Sequence, residues 1–546
     1  MYRRSSSPAH SPATEPTADN AVGGADVPPA RFKDVGLDGE AAAAAPPETS
    51  PTVAEPPDVP AGAPGAENIR GRVERDGHAG VNGHQSDSRR GVGLATIRLA
   101  ADAYAAGNQC VQCGLCLPAC PTYLETGNEA DSPRGRIRQM LGLHDGDVEY
   151  TPAGQEHLDR CLDCRACETA CPSGVQYHKL IEDARYKLEQ KQLAHHGRLP
   201  RQTRFQRWLF YKVFTRPDRL RVALLPARVL QKLGLWGLVN RIGLPRLLPG
   251  TLRKMERMLP ADGPLWPRSL PPHSRAGGMD MVVKMLNPGA KGQPKRPPVY
   301  VGFFEGCVAG VMAADVHEKA AELLCAAGAD VISPPDQICC GAIHHHSNDH
   351  DAARAMARRN IDVYLPAGGP ELTYIVSCTA GDGAMLRQYG ELLADDPAYA
   401  DRAARFSAKV RDVSEVLVEL GLPPMTERLV GRVTYHDACH LAHGQRVTSA
   451  PRQLLKSIPG LEVAELPESD VCCGAAGTYN LTQPEMAGAL AGRKLDRVAE
   501  TGCEFVVSGN IGCTLHLRAE AAARGRKVKF VHPVELLHAA VFGSEG

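Results

Sequence analysis

The chain has 546 residues, 62 Lys and Arg against 62 Asp and Glu, 5% aromatics and 18 cysteines. A formal charge of zero lacks the basic surplus that a chain-wide nucleic-acid binder needs, and nucleic acid is not an expected partner. Eighteen cysteines in so long a chain do not fit a disulfide scaffold, which is a device of short secreted domains.

The N-terminus, MYRRSSSPAHSPATEPTADN, has two arginines with no apolar stretch behind them and is not read as a secretory signal. No uninterrupted apolar run reaches the roughly 18 residues of a membrane span. The expected location is the cytosol, or peripherally at the inner face of a membrane. In a reducing compartment clustered cysteines hold metal more often than they pair. Residues 1–95 carry runs such as AAAAAPPETSPTVAEPPDVPAGAPGAE and almost no large apolar side chain. Nothing there offsets the entropy of ordering, so a disordered Pro/Ala-rich tail is expected.

Residues 96–195 hold eight cysteines in two runs, Cys110-x2-Cys113-x2-Cys116-x3-Cys120-Pro121 and Cys161-x2-Cys164-x2-Cys167-x3-Cys171-Pro172. Three thiolates two residues apart wrap one corner of a [4Fe–4S] cube, and the fourth, before proline, leaves for the other cluster. One cluster is therefore expected on Cys110, Cys113, Cys116 and Cys171, the other on Cys161, Cys164, Cys167 and Cys120. A zinc ribbon needs neither the third step nor the trailing Cys-Pro. The stretch between the runs reads helical from Asp131-Ser132-Pro133, as cap and first turn. A helical ferredoxin-like domain with two [4Fe–4S] clusters, an electron wire, is the expectation.

Residues 196–298 read as a basic amphipathic arm and linker. Between 196 and 260 there are 15 Lys and Arg and two acids, a local charge of +13. Trp208, Phe210, Phe214, Leu224 and Trp236 interleave with these charges. Such an arm could lie on an anionic membrane or dock an acidic partner, or pack its apolar face within the chain. Pro217, Pro226 and Pro245 are expected to break any long helix. Residues 261–298, rich in Pro and Gly, look like linker.

Residues 299–546 contain an internal repeat, 299–425 and 426–546. VYVGFFEGC runs as a strand into Cys307 and RVTYHDAC into Cys439. After 31 and 32 intervening residues come Cys339-Cys340-Gly341 and Cys472-Cys473-Gly474, then a helical stretch and a strand ending IVS or VVS. The alternation predicts two α/β halves related by pseudo-twofold symmetry, cysteines at the strand ends. The expected fold class is α+β multidomain: the ferredoxin-like domain, then this double repeat. Cys439, Cys472, Cys473 and Cys513 suffice for one metal site, an additional iron–sulfur cluster or zinc. Aligning IVSCTAGD with VVSGNIGC sets Asp382 opposite Cys513, so the first repeat offers Cys307, Cys339 and Cys340 with Asp382 or Cys378. The second is the expected intact site. His344, His345 and His346, and His436, His440 and His443, could ligate metal or tune a cluster, or be ordinary loop and cap residues.

CVQCGLCLPACPTYLETGNEADSPRGRI, CLDCRACETACPSGVQYHKLIE, CCGAIHHH, YHDACHLAH, CCGAAGTYNLTQ and NIGC, in this order, resemble the glycolate oxidase (glycolate dehydrogenase) iron–sulfur subunit family over about residues 98–542. The wider superfamily includes heterodisulfide reductase subunits, the lactate-utilisation iron–sulfur protein and the anaerobic glycerol-3-phosphate dehydrogenase small subunit. The resemblance implies a complex with FAD-bearing subunits that oxidise glycolate or D-lactate, passing electrons toward a membrane quinone. Heterodisulfide reductase repeats close with Cys-x-x-Cys, which Cys378-Thr-Ala-Gly and Cys513-Thr-Leu-His lack. That departure argues against thiol–disulfide chemistry. Asp382 also departs from the glycolate pattern, which usually has cysteine there.

Overall fold

Local caps set the helices around the first two cysteine runs. In the computed structural model, which describes residues 96–242, 250–259, 263–275, 299–366, 368 and 370–543, Ser132 caps the helix Pro133–Asp145, its Oγ accepting from the Gly135 amide at 3.0 Å. Thr151 caps Pro152–Asp159 in the same way. In both helices proline occupies the first turn, where its missing N–H costs nothing. These helices and the long Tyr177–His196 bury Ile97, Met140, Leu143, Leu158, Leu180 and Ile181 in one core. Each such side chain contributes roughly 1.5–3 kcal/mol. The expected tail lies outside the described residues.

The basic arm forms helices Arg201–Leu209, Pro217–Lys232, Trp236–Arg241 and Gly250–Arg257. Pro217 starts its helix, but Pro226 does not end it. The expected break fails: the helix runs through Pro226, whose ring removes the bond to the Val222 carbonyl one turn back, and Val222 as a residue is 60% exposed. Pro245 and most of the expected linker lie outside the described residues, although His273 and Ser274 within that stretch form a strand, β1. No helix among the described residues is long and apolar enough to cross a membrane.

The remaining strands are β2 (Val299–Phe304), β3 (Ala329–Ile332), β4 (Tyr374–Ser377), β5 (Val410–Asp412), β6 (Gly431–Tyr435), β7 (Leu461–Ala464), β8 (Phe505–Val507) and β9 (Lys529–Val531). They build two sheets, β1-β3-β2-β4-β5 and β7-β6-β8-β9. Apart from β1, which runs antiparallel to β3, every pairing is parallel. Without β1 the two orders are the same, so the sequence repeat is also a repeat of topology. Val301, Gly302, Phe303 and Phe304 are consecutive and all buried, as parallel strands covered on both faces require. In each sheet the chain leaves the first central strand for one neighbour and returns on its other side, between β2 and β4 and between β6 and β8. Such switch points open a crevice at the carboxyl ends of the strands. Cys307 and Cys439 follow β2 and β6 at those ends. The halves share a core in which Val301, Phe303 and Val376 meet Val433, Tyr435 and Leu537.

His317 belongs to that interior, 2% exposed and edge-on to Phe303 at 5.4 Å. Burial pushes its imidazole down to about 3. The unfolded chain takes up the proton near pH 6.5, so stability is complete above that value and falls as pH drops toward 3. At pH 5 the loss should be about 2 kcal/mol. Urea midpoints for His317→Leu should therefore change less between pH 8 and pH 5 than those of the unaltered chain; equal acid slopes would contradict this.

Candidate metal centres

Each ferredoxin-type run is wound by the same two left-handed residues: Gln112 (φ 57°) and Gly114 (φ 84°) in the first, Asp163 (φ 53°) and Arg165 (φ 62°) in the second. For non-glycine residues this costs roughly 1–2 kcal/mol apiece. Alternating handedness turns side chains and amides toward a common centre, and the Asp163 amide donates to Cys161 Sγ at 3.4 Å. The fourth cysteines change places. Cys171 lines a cavity with Cys110, Cys113 and Cys116. Cys120 lines another with Cys161, Cys164 and Cys167, while Cys167 and Tyr177 border both. The first cavity lies at the surface, with Cys113 exposed between exposed Val111 and Leu115. Cys120, Cys161 and Cys164 of the second are buried.

Beside the second cavity stands Arg136, 1% exposed. Its guanidinium donates to Thr122 Oγ1 at 3.1 Å, to Asp131 Oδ1 at 3.5 Å and, more distantly, to Cys120 Sγ at 4.0 Å. Asp131, itself fully buried, also meets His157 at 2.9 Å and Arg160 at 3.3 Å. Sequence reasoning missed this cation. Its signal was helical spacing: Arg136 shares the apolar face of Met140 and Leu143, where an unpaired charge would not be tolerated.

In the second repeat, Cys439 Sγ and Cys472 Sγ are 3.6 Å apart. The adjacent Cys473 turns toward Cys513 and His436, and the ligand atoms of these three lie within 4.8 Å of one another. Asn510 donates to Cys513 Sγ at 3.2 Å. Both Cys-Cys-Gly turns need glycine: Gly341 and Gly474 have φ of 93° and 89°, and a Cβ on Gly474 would sit 2.8 Å from the Ala487 carbonyl oxygen. In the first repeat Cys307 Sγ and Cys339 Sγ are 3.3 Å apart, and Asp382 approaches Cys340 and the backbone at Gly306. Burial pushes the Asp382 carboxyl up to about 7. Of the two candidates for the fourth position, Asp382 is thus the one beside the cysteines. Cys378 lies in the core shared by the repeats, its carbonyl accepting from His532 Nε2 at 3.0 Å.

Histidines fix the ferredoxin half to both repeats. His440 Nε2 contacts the Asp163 carbonyl at 3.2 Å, His443 Nδ1 contacts Thr169 Oγ1 at 3.0 Å, and Tyr479 donates to the Arg160 carbonyl at 2.8 Å. Behind these bonds Leu162, Cys164 and Ala166 pack with Cys439, Cys472 and Tyr479 in one buried cluster. On the first repeat His345 meets Glu182 at 3.1 Å, His346 lies 3.5 Å from Asp163, and His344 stacks on Tyr211 at 4.1 Å. The triple histidine run therefore sits in a seam between domains. There burial, followed by the charge of Glu182, pushes Asp163 up to about 8.

These parts are recognisable in known proteins. A family model described as a 4Fe-4S dicluster domain matches residues 106–175, and one described as a cysteine-rich domain matches 301–387 and 433–518. The basic arm, 201–259, matches the linker region of the glycolate oxidase iron-sulfur subunit. The chain is 38% identical over 434 residues to the probable glycolate oxidase iron-sulfur subunit of Bacillus subtilis (strain 168), covering 78% of this chain and 92% of that one. It belongs to the glycolate oxidase iron–sulfur subunit family. The glycolate oxidase iron-sulfur subunit of Escherichia coli (strain K12) is 33% identical, covering 79% of this chain and 93% of its own. Lactate utilization protein A of Oceanobacillus iheyensis is 30% identical over 239 residues, 44% of this chain. For a member of this family, Arg136→Met should be costly, because it strips a fully buried carboxylate of one partner. Denaturant titration should show a loss of about 3 kcal/mol; a loss under about 1 kcal/mol would mean that His157 and Arg160 alone neutralise Asp131.

Proposed function

We propose that the chain is the electron-carrying subunit of a flavin-dependent 2-hydroxy-acid dehydrogenase. It would take electrons from FAD-containing partner subunits that oxidise glycolate or D-lactate and deliver them toward a quinone-type acceptor. The donor chemistry fits: eight thiols converge in two cavities whose backbone is wound to direct amides at sulfur. Cys110, Cys113, Cys116 and Cys171 would hold one [4Fe–4S] cluster, and Cys161, Cys164, Cys167 and Cys120 the other. Cys439, Cys472, Cys473 and Cys513 would hold a further metal centre, and Cys307, Cys339, Cys340 and Asp382 a fourth, oxygen-containing site. Bound clusters supply one-electron chemistry; the polypeptide supplies spacing, burial and charge.

One observation carries this reading: the buried cluster in which Cys164 packs with Cys439 and Cys472. It joins the second ferredoxin run to the second repeat through buried apolar packing, while the first run stays at the surface. Entry at the exposed Val111–Leu115 edge and exit through the second repeat is the direction proposed. The arm adds a basic stretch in which Phe205, Trp208, Val222, Leu233 and Leu238 are exposed, a composition suited to an anionic membrane surface.

The complex carrying Cys116→Ala should assemble with its flavoprotein partner, keep glycolate-dependent flavin reduction, and lose dye reduction at the iron–sulfur subunit by at least about tenfold. Full dye reduction in that variant would defeat the proposal.

A further inference from the structure

His436 is 0% exposed and immediately follows β6, three residues before Cys439. Its Nδ1 lies 3.1 Å from the Ser469 carbonyl oxygen. A carbonyl only accepts, so Nδ1 carries a proton, and in the neutral ring Nε2 is a lone pair. That Nε2 is buried without a hydrogen-bond partner, and a ring nitrogen of His436 lies within 4.8 Å of Cys473 Sγ and Cys513 Sγ. Metal-bound histidines show the same arrangement, one ring nitrogen anchored to a carbonyl and the other aimed at the metal. The anchor is itself held: the Ser469 carbonyl also receives the Asp437 amide and Lys494 Nζ, each at 3.2 Å, and Asp437 is gripped by Arg452 at 2.5 and 2.6 Å. The ring can neither turn away nor change tautomer without breaking that network.

Resting on the reading of the second repeat as a metal centre, we infer that His436 Nε2 is a ligand of that centre, making its donor set four sulfurs and one nitrogen. Five donors exceed the four that structural zinc uses, so the set suits an iron–sulfur centre. The first repeat cannot be its equal. Phe304 stands where His436 stands, and Asp382 where Cys513 stands, leaving three sulfurs and one oxygen. The two halves therefore share a fold and differ in chemistry. A neutral imidazole in the fifth position adds no negative charge where a fifth thiolate would, which favours a higher potential. A centre of that kind beside Cys164 would draw electrons out of the ferredoxin half.

The test uses the anaerobically purified complex, unlabelled and with [15N]-histidine. Pulsed EPR should show a histidine nitrogen coupled to one reducible centre, and iron should exceed the roughly eight atoms of two [4Fe–4S] clusters. His436→Leu should lose both the coupling and the additional iron while the two ferredoxin-type signals persist, which shows that the chain still folds. His436→Cys should recover the iron at a lower midpoint potential. Additional iron with no histidine coupling, or His436→Leu with unchanged iron and potential, overturns the inference and leaves His436 a buried neighbour of the cysteines that binds no metal. No iron beyond the two clusters in the unaltered protein overturns the inference, and the absence of both iron and zinc beyond them defeats the underlying reading as well.

Discussion

The ferredoxin half depends on an exchange of cysteines. Cys120 leaves the first run to line the second cavity, and Cys171 returns to the first. Neither cavity can be complete unless both runs are folded and facing each other. The helices between them, capped at Ser132 and Thr151, set that separation. The same requirement explains the buried charge. Thr122, just past Cys120, and Asp131, at the start of the connecting helix, are both tied to Arg136, so the guanidinium fixes the crossing chain where it enters the second cavity.

The double repeat solves a different problem with one topology used twice. Parallel strands deliver a cysteine to the carboxyl end of each central strand, and a left-handed glycine lets the Cys-Cys pair face it. The two halves differ at positions that decide the donor set. His436 is the counterpart of Phe304, and Cys513 of Asp382. Both members of each pair are buried or half-buried at the same switch point, so the exchange alters donor chemistry and spares the sheet. The half nearer the second ferredoxin run kept the richer sulfur set.

Much of this was legible in the sequence. Cysteine spacing marks the two runs because cluster geometry dictates it, and VYVGFF and RVTY read as strands because parallel strands are apolar on both faces. The matched 31- and 32-residue intervals reveal the repeat. What stayed hidden depends on contacts distant in the chain. Arg136 looks like an ordinary helix arginine until Asp131, Thr122 and His157 surround it. The triple histidine run lies beside a Cys-Cys-Gly turn in sequence, yet it serves a seam with Glu182 and Asp163. Pro226 looked like a helix breaker, yet the helix runs through it. His436 was visible as a histidine near cysteine, but its free lone pair required the Ser469 carbonyl to be in place.

The proposed electron path through this chain rests on the seam where Cys164 packs with Cys439. Freeze-quench EPR of the complex with Cys473→Ala, mixed with glycolate and then with acceptor, probes it directly. With the second repeat as the exit, the ferredoxin-type clusters are reduced at the normal rate and stay reduced, their reoxidation slowed at least about tenfold. Reoxidation at the unaltered rate would mean that electrons leave before reaching the second repeat.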